Sequence, residues 1–146
     1  MQYINNVDFS YTGLDEAFPA CEPGISPFGS RVLLQIRSPK KKTKGGIIII
    51  DEARETEHYN TQTAKVLEVG PLAFHNRNTL ERWPEGAWAE PGDFVRIPRY
   101  GGDRWSVKPT NFGDNPDVEE AILVIFNDLD LIGKVTGDPL AIKAFL

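Results

Sequence analysis

The sequence predicts an all-β fold, a small β-barrel of about five to seven short strands. Short segments rich in β-branched or alternating apolar residues recur along the chain, and Gly and Pro turns separate them at short intervals. No stretch has a convincing amphipathic helical period. Because a closed barrel leaves no exposed sheet edge, it is the all-β architecture that best fits this number of strands.

Length, charge and cysteine content narrow the class of protein further. The 146 residues suffice for one domain with its own core. The formal net charge of −5 argues against a general nucleic-acid binder, whose affinity depends on a cationic surface. Cys21 is the single cysteine and no secretory signal pattern is present, so we expect a cytoplasmic protein. The longest apolar runs, 47–50 and 121–126, are too short to cross a bilayer, so no membrane association is expected.

The first predicted strand follows a segment without regular structure. Residues 1–26 have no sustained helical or strand period, which predicts an irregular extension with the ordered core beginning at the next residue. Within 27–37, Val32, Leu34 and Ile36 share one face, and the alternate positions form the other. This alternation predicts a half-buried strand.

Four more strands and a short closing segment are predicted after it. We expect a turn-rich hairpin or loop over 72–90, a tight turn over 100–103 and a polar insertion over 109–118. The tail over 136–146 ends in a run too apolar to be free, so we expect it to pack against the protein. The strands lie within 61–70, 94–97, 104–108 and 119–126, and the closing segment within 128–135.

Residues 40–50 contain a lysine-rich stretch, two adjacent glycines and then four consecutive isoleucines. Gly45 and Gly46 leave the backbone free just before the most apolar tetrapeptide of the chain. A buried strand could explain the isoleucines, because short apolar runs bounded by turn signals are often interior strands. The flanking stretches 37–42 and 51–58 are charged and lack β alternation, which favours a partner-binding segment carried on a loop.

The chain offers few residues with which to build an active site. His58 and His75 are isolated, and neither lies in a metal-ligand spacing or a hydrolase motif. Gly101 and Gly102 are too few for a phosphate-binding loop. We therefore expect no enzyme activity, no metal and no cofactor. The acidic residues after the isoleucines lack the spacing of a calcium loop and are interpreted as a solvated face: Asp51, Glu52, Glu55 and Glu57.

Several segments occur in the order and at the spacing of one protein family. They include a Gly-Gly pair followed by an apolar tripeptide and, later, a Pro-Gly-Asp turn that leads into a strand. The segments are 27–34, 43–49, 64–70, 91–95, 100–102 and 128–132. On these segments the chain resembles the GroES-type co-chaperonin family, the small lids of chaperonins, over residues 27–135.

The resemblance implies a GroES-like β-barrel assembled as a homo-oligomeric ring, a heptamer, in which the opening strand of one subunit pairs with the closing segment of its neighbour. It implies a mobile loop over 38–61, with Gly45 and Gly46 as its hinge, and a roof hairpin over 71–91. The residues 1–26 and 136–146 would be terminal extensions. The implied chaperonin-binding residues are Ile47, Ile48 and Ile49, and the implied roof or cavity residues are Trp83, Trp88 and Tyr100.

The resemblance also implies a function and its partners. The ring would cap a GroEL-type chaperonin, its loops would compete with non-native client protein for apolar grooves, and a closed polar chamber would form. ATP would be bound by the chaperonin, so the lid itself would need no cofactor. No nucleic-acid partner is expected.

The two ends and the 109–118 insertion lie outside the usual length of the family. Such additions are reminiscent of co-chaperonins encoded by bacteriophages, which help a host chaperonin to enclose a capsid protein in the host cytoplasm. Two other classes stay open at this point. One is a virion structural protein that reuses the barrel, because a fold does not fix a function. The other is an OB-like barrel that binds single-stranded nucleic acid through residues 40–44 and nearby aromatic residues.

Overall fold

The computed structural model describes residues 13–38, 62–110 and 120–142. One helical turn, α1 (Leu14–Ala17), precedes the strands. The strands are β1 (Arg31–Ile36), β2 (Thr63–Val69), β3 (Phe94–Arg96), β4 (Asp103–Val107), β5 (Ala121–Asn127) and β6 (Gly133–Lys134). All of them belong to a single sheet in the order β4-β5-β1-β2-β3-β6, and every neighbouring pair is antiparallel.

The all-β prediction is confirmed, since each predicted strand region overlaps one of these strands. The ladder runs linearly, with β4 and β6 as its two edges. No pairing between these edges is present among the described residues, so the closure of the sheet into a barrel stays a prediction. In the same ranges, no helix has the length and apolar content needed to cross a membrane.

The strand β1 holds the sheet together because it pairs on both sides, with β5 from Arg31 to Ile36 and with β2 from Val32 to Ile36. Ile36 lies opposite Ala64 of β2 and opposite Ile122 of β5. The β1–β2 register shifts between Leu33 and Leu34, which marks a bulge in that ladder. The β1–β5 register runs unbroken from Arg31 to Ile36, so those two strands present matching faces.

The inner face of the sheet carries the main apolar core. Alternate residues of β1, β2 and β5 meet there, as a period of two requires. Partly buried Val69, Trp83, Trp88 and Leu131 pack against the cluster. Its buried members are Val32, Leu34, Ile36, Ala64, Val66, Ala73, Phe74, Ala89, Val95, Ile97, Ile122, Val124 and Phe126.

The outer face is also covered, and this corrects two sequence predictions. The strand β1 is not half-buried, because Leu33 and Gln35 on its second face have relative exposures of 0% and 2%. The ordered core does not begin at residue 27, because Ala17 and Phe18 are buried as well. Residues 17–23 run across the outer face, where Phe18 packs against Phe94 and the Pro19 carbonyl oxygen accepts the Gln35 side chain, so β1 is buried on both sides.

The residues that follow β5 lead to the β6 edge of the sheet. A single turn of 3-10 helix (Asp128–Asp130) follows β5 and leads to β6. The Ile132 and Val135 amides donate to the carbonyl oxygens of Arg96 and Phe94, which extends the pairing of β6 with β3. Of the apolar tail, Leu140 is partly buried and residues 143–146 lie outside the described residues.

Gly70 ends β2 where the backbone passes very close to the start of β1. Its amide donates to the Arg31 carbonyl oxygen at 2.8 Å, and the Leu72 amide donates to the Gly29 carbonyl oxygen at 2.9 Å. A Cβ at Gly70 would collide with the Gly29 carbonyl oxygen and lie 2.8 Å from that of Arg31. Because both obstacles are backbone atoms, only a residue without Cβ fits.

We expect Gly70→Ala to lower the free energy of unfolding by about 1 to 3 kcal/mol, because the two backbone segments must separate to admit the methyl group. Urea denaturation measures this loss. The matched control is Gly137→Ala, where the added carbon meets no atom within 4 Å. Equal stabilities of the two variants would contradict the close approach at Gly70.

Candidate functional site

The residues that leave the sheet between β1 and β2 are the first candidate site. Since Ile36 pairs with Ala64, this connection begins and ends on adjacent strands at one end of the sheet. Residues 39–61 lie outside the described residues, and with them the predicted hinge and binding residues, Gly45, Gly46, Ile47, Ile48 and Ile49. The roles assigned to these residues therefore stay predictions, as do those of His58 and the acidic residues beside it.

The two ends of this connection are fixed by hydrogen bonds. Gln62 and Ile97 form two hydrogen bonds. The Ile97 amide donates to the Gln62 carbonyl oxygen at 2.8 Å, and the Gln62 side chain donates to the Ile97 carbonyl oxygen at 3.1 Å. Arg96 also donates to the Gln62 side chain, at 3.2 Å. At the other end, the fully buried Ser38 donates its backbone amide to the Ala17 carbonyl oxygen at 2.8 Å. The connection therefore starts and returns at defined points.

The segment between β2 and β3 leaves from the opposite end of the sheet. It contains a short hairpin, in which His75 and Arg82 form an antiparallel bridge. The Asn76 side chain closes the tip of the hairpin by accepting the amides of Asn78 and Thr79. The segment with the hairpin and the β1–β2 connection are therefore attached to opposite ends of β2.

Asp128 fastens the base of this hairpin to the sheet. Its side chain is 1% exposed, and its two carboxylate oxygens accept the amides of Phe74 and Leu129, each at 2.8 Å. Its own amide donates to the Ser30 carbonyl oxygen. Phe74 has a φ of 64°, in the left-handed region that is unfavourable for a bulky side chain. The carboxylate contact and the burial of the ring hold Phe74 in this conformation.

The aromatic residues assigned to a roof lie at the hairpin end of the sheet in two different settings. Trp83 and Trp88 are partly buried and pack against the core, and the Trp88 and Phe74 ring centroids are 5.6 Å apart. The indole nitrogen atoms of both tryptophans are buried, and neither has a hydrogen-bond partner within the described residues. Packing of the rings therefore holds the tryptophans in place. Tyr100 lies in the turn before β4 and is 62% exposed. Whether these residues line a cavity stays a prediction.

The described residues hold no group of three or more metal-ligating side chains. His75 contacts the Ala73 carbonyl oxygen through Nδ1 at 2.8 Å, a local contact within the hairpin. Cys21 is half-buried; desolvation by burial raises the pKa of its thiol, Glu22 raises it further, and Lys65 opposes both. A raised pKa leaves less thiolate at neutral pH, so this cysteine is a poor nucleophile.

The sequence predictions missed the segment that covers the outer face, residues 17–23. A signal for it was present, since β1 and β5 carry apolar residues on both faces, such as Leu33 and Leu123. Strands of this kind are typical of sheets that are covered on both sides. The sequence did not indicate which residues provide the cover, because Phe18 and Pro19 belong to no periodic pattern.

Comparison with known proteins assigns the chain to a family. The model of the chaperonin 10 kDa subunit family matches residues 24–135. The co-chaperonin GroES of Methylacidiphilum infernorum is 36% identical over 91 residues, which cover 62% of this chain and 84% of that protein. The co-chaperonin GroES of Caulobacter vibrioides is 33% identical over 114 residues, 75% of this chain and 94% of that protein.

A third relative, the co-chaperonin GroES of Coprothermobacter proteolyticus, is 34% identical over 108 residues, 72% of this chain and 90% of that protein. The fold and these matches define the class of protein: the chain belongs to the chaperonin 10 kDa subunit family. The resemblance to GroES-type co-chaperonins in the sequence is thereby confirmed. The family match leaves out residues 1–23, and with them the whole segment that covers the outer face, residues 17–23.

We expect Asp128→Ala to lower the free energy of unfolding by about 1 to 3 kcal/mol, because it leaves the buried Phe74 amide without an acceptor. Chemical denaturation followed by tryptophan fluorescence measures the loss. Asp130→Ala is the matched control, since Asp130 lies on the same 3-10 turn and is exposed. If both variants lose the same stability, the carboxylate does not fasten the hairpin.

Proposed function

We propose that this protein is a co-chaperonin that caps an ATP-driven, GroEL-type chaperonin ring and encloses a chamber for a non-native client protein. The observation that carries the proposal is the family match over residues 24–135, together with relatives that align over most of their own length. The all-β sheet with a long connection at each end agrees with it.

The positions of the two connections suit a lid. The predicted mobile loop, residues 38–61, starts from one end of the β1–β2 pair, and the predicted roof hairpin, residues 71–91, starts from the other end. A lid needs this separation, because one end must bind the chaperonin while the other closes the chamber. The fixed bases at Ser38 and Gln62 give the binding segment a defined origin.

The proposed binding residues are Ile47, Ile48 and Ile49, with Gly45 and Gly46 as the hinge. Burial of three isoleucines in apolar grooves contributes roughly 5 to 9 kcal/mol. Ordering even five loop residues opposes this with about 5 to 10 kcal/mol, so a single loop binds weakly. Several loops on one ring bind far more tightly, because after the first contact the others act at an effective concentration that raises avidity about 10² to 10⁴ fold.

The proposed lid carries out no chemistry of its own. ATP binding and hydrolysis belong to the chaperonin, and the lid acts by binding, by excluding competing client from the grooves and by closing the chamber. This division of labour places the protein in the cytoplasm, beside its partner, and requires no cofactor in this chain.

Two other functions are less well supported. A virion structural protein built on the same barrel has no positive support from the relatives, which are co-chaperonins. A binder of single-stranded nucleic acid would use the basic residues 40–44, but the chain as a whole carries a net charge of −5.

The direct test mixes the purified protein with a GroEL-type chaperonin and ATP or ADP. A nucleotide-dependent capped complex, seen by electron microscopy, is the expected result. No capped complex with either nucleotide, at a concentration where a known lid caps the same chaperonin, would overturn the proposal.

We expect Ile48→Ser, present in every subunit, to abolish capping while the melting temperature stays unchanged, because a serine offers little apolar surface to the groove. Lys41→Ala is the control and should cap nearly as well as the unmodified protein, since a solvated charge contributes little. Thermal denaturation and capping are measured on the same samples. A lowered melting temperature without a selective capping defect would instead indicate that the isoleucines form a buried strand.

We expect a homo-oligomeric ring, a heptamer by resemblance, at micromolar concentration. The strands β4 and β6 are the two edges of the sheet among the described residues, and they motivate this prediction because strand edges favour association and ring closure can pair them. Native mass spectrometry measures the number of subunits. Detection of monomer alone would contradict ring assembly.

A further inference from the structure

Residues 17–23, which we call the strap, cross the outer face of the sheet along one row of paired residues. The row consists of one residue from each of five strands, and each residue is directly paired with the next across the sheet. Directly paired residues point to the same face of a sheet, so all five lie on the outer face. Phe94 pairs with Lys65, Lys65 with Gln35, Gln35 with Leu123, and Leu123 with Trp105. The row therefore runs from β3 through β2, β1 and β5 to β4.

The strap contacts this row at its first, third and fifth members. Phe18 packs edge-on against Phe94, with ring centroids 5.1 Å apart. The buried side chain of Gln35 donates to the Pro19 carbonyl oxygen at 2.8 Å. The indole of Trp105 donates to the Pro23 carbonyl oxygen at 3.1 Å. Four strand spacings of about 4.8 Å place the ends of the row about 19 Å apart, close to the reach of extended residues 18–23.

Two further bonds join the strap to the points where the chain leaves the sheet. Ser38, just after β1, donates its amide to the Ala17 carbonyl oxygen at 2.8 Å. Thr110, just after β4, donates its amide to the Ala20 carbonyl oxygen at 2.8 Å, and Cys21 forms a β-bridge with Pro109. The strap thus holds the residues from which both the predicted mobile loop and the 109–118 insertion start.

We propose that the strap is a positioning element for chaperonin capping, which sets the starting point of the predicted mobile loop at Ser38. This inference rests on the proposed capping function. The other end of the loop needs no such element, because Gln62 already bonds to Ile97, the residue that follows β3. The paired register of β1 ends at Ile36, two residues before Ser38, and the Ser38 amide is bonded to the strap.

The physical effect of the strap is entropic. If the Ser38 amide were released from the Ala17 carbonyl oxygen, more of the chain would have to be ordered when the predicted mobile loop binds. Each additional residue that must be ordered weakens the binding of one loop by about fivefold to thirtyfold. A docked strap therefore favours tight capping without contacting the chaperonin itself.

The test uses full-length variants of the strap contacts. Phe18→Ala removes the ring that packs on Phe94, and Gln35→Met removes the donor to the Pro19 carbonyl oxygen while keeping an unbranched side chain. Leu14→Ala is the matched control, because Leu14 lies in the same extension and is 40% exposed. Native mass spectrometry and thermal denaturation identify variants that still fold and assemble, and Phe18→Leu replaces Phe18→Ala if the latter does not.

Two measurements report on the strap directly. Hydrogen exchange follows the amides of Ser38 and Thr110, both of which donate to strap carbonyl oxygens. The labelling rate of Cys21, the single cysteine, follows its exposure, since its thiol is half-buried and little ionised while the strap is docked. In the strap variants we expect both amides to exchange faster together and Cys21 to label faster, with no change in the Leu14→Ala control.

Capping affinity for the chaperonin with ADP then gives the functional result. We expect the strap variants to bind about fivefold or more weakly than the unmodified protein and the control. If they release the strap but cap with unchanged affinity, the positioning role is wrong while the capping function stands. If the Ser38 amide of the unmodified protein exchanges as fast as that of an unstructured peptide, the strap is not docked and the inference fails. If the unmodified protein does not cap, the proposed function fails, and the positioning role fails with it.

Discussion

The structure depends on the burial of β1 on both faces. This strand pairs with β2 and β5 along its length, packs Val32, Leu34 and Ile36 into the core, and is covered on its second face by residues 17–23. Complete burial of a side chain such as Leu33 contributes about 1.5 to 3 kcal/mol. A central strand buried in this way fixes the position of β2 beside it, and therefore of the two connections that join opposite ends of β2. The proposed function needs both connections fixed.

Local sequence pattern was sufficient to predict the strands and several turns. Alternation located β1 and β2, an apolar β-branched run located β5, and Gly101 and Gly102, both with positive φ, turn the chain into β4. These features depend on near neighbours in sequence, where periodicity and the freedom of glycine carry the information. The order of motifs was also sufficient to predict the family, which the comparisons confirm.

Long-range packing could not be predicted in the same way. Phe18 is buried because Phe94, far along the chain, lies on the outer face at the matching register position. Asp128 resembles any acidic turn residue in the sequence, and only the fold brings the Phe74 amide to its carboxylate. The binding roles of Ile47, Ile48 and Ile49 rest on the resemblance, since these residues lie outside the described ranges.

The separation of the two connections has a consequence for how such a lid can evolve. The β1–β2 connection and the hairpin segment are attached to opposite ends of β2, whose seven residues span roughly 20 Å or more. Substitutions that adapt one connection to a different chaperonin lie too far away to disturb the packing of Trp83 and Trp88 in the other. If the proposed function holds, substitutions can change the choice of partner without changing the shape of the chamber, although both depend on the same small subunit.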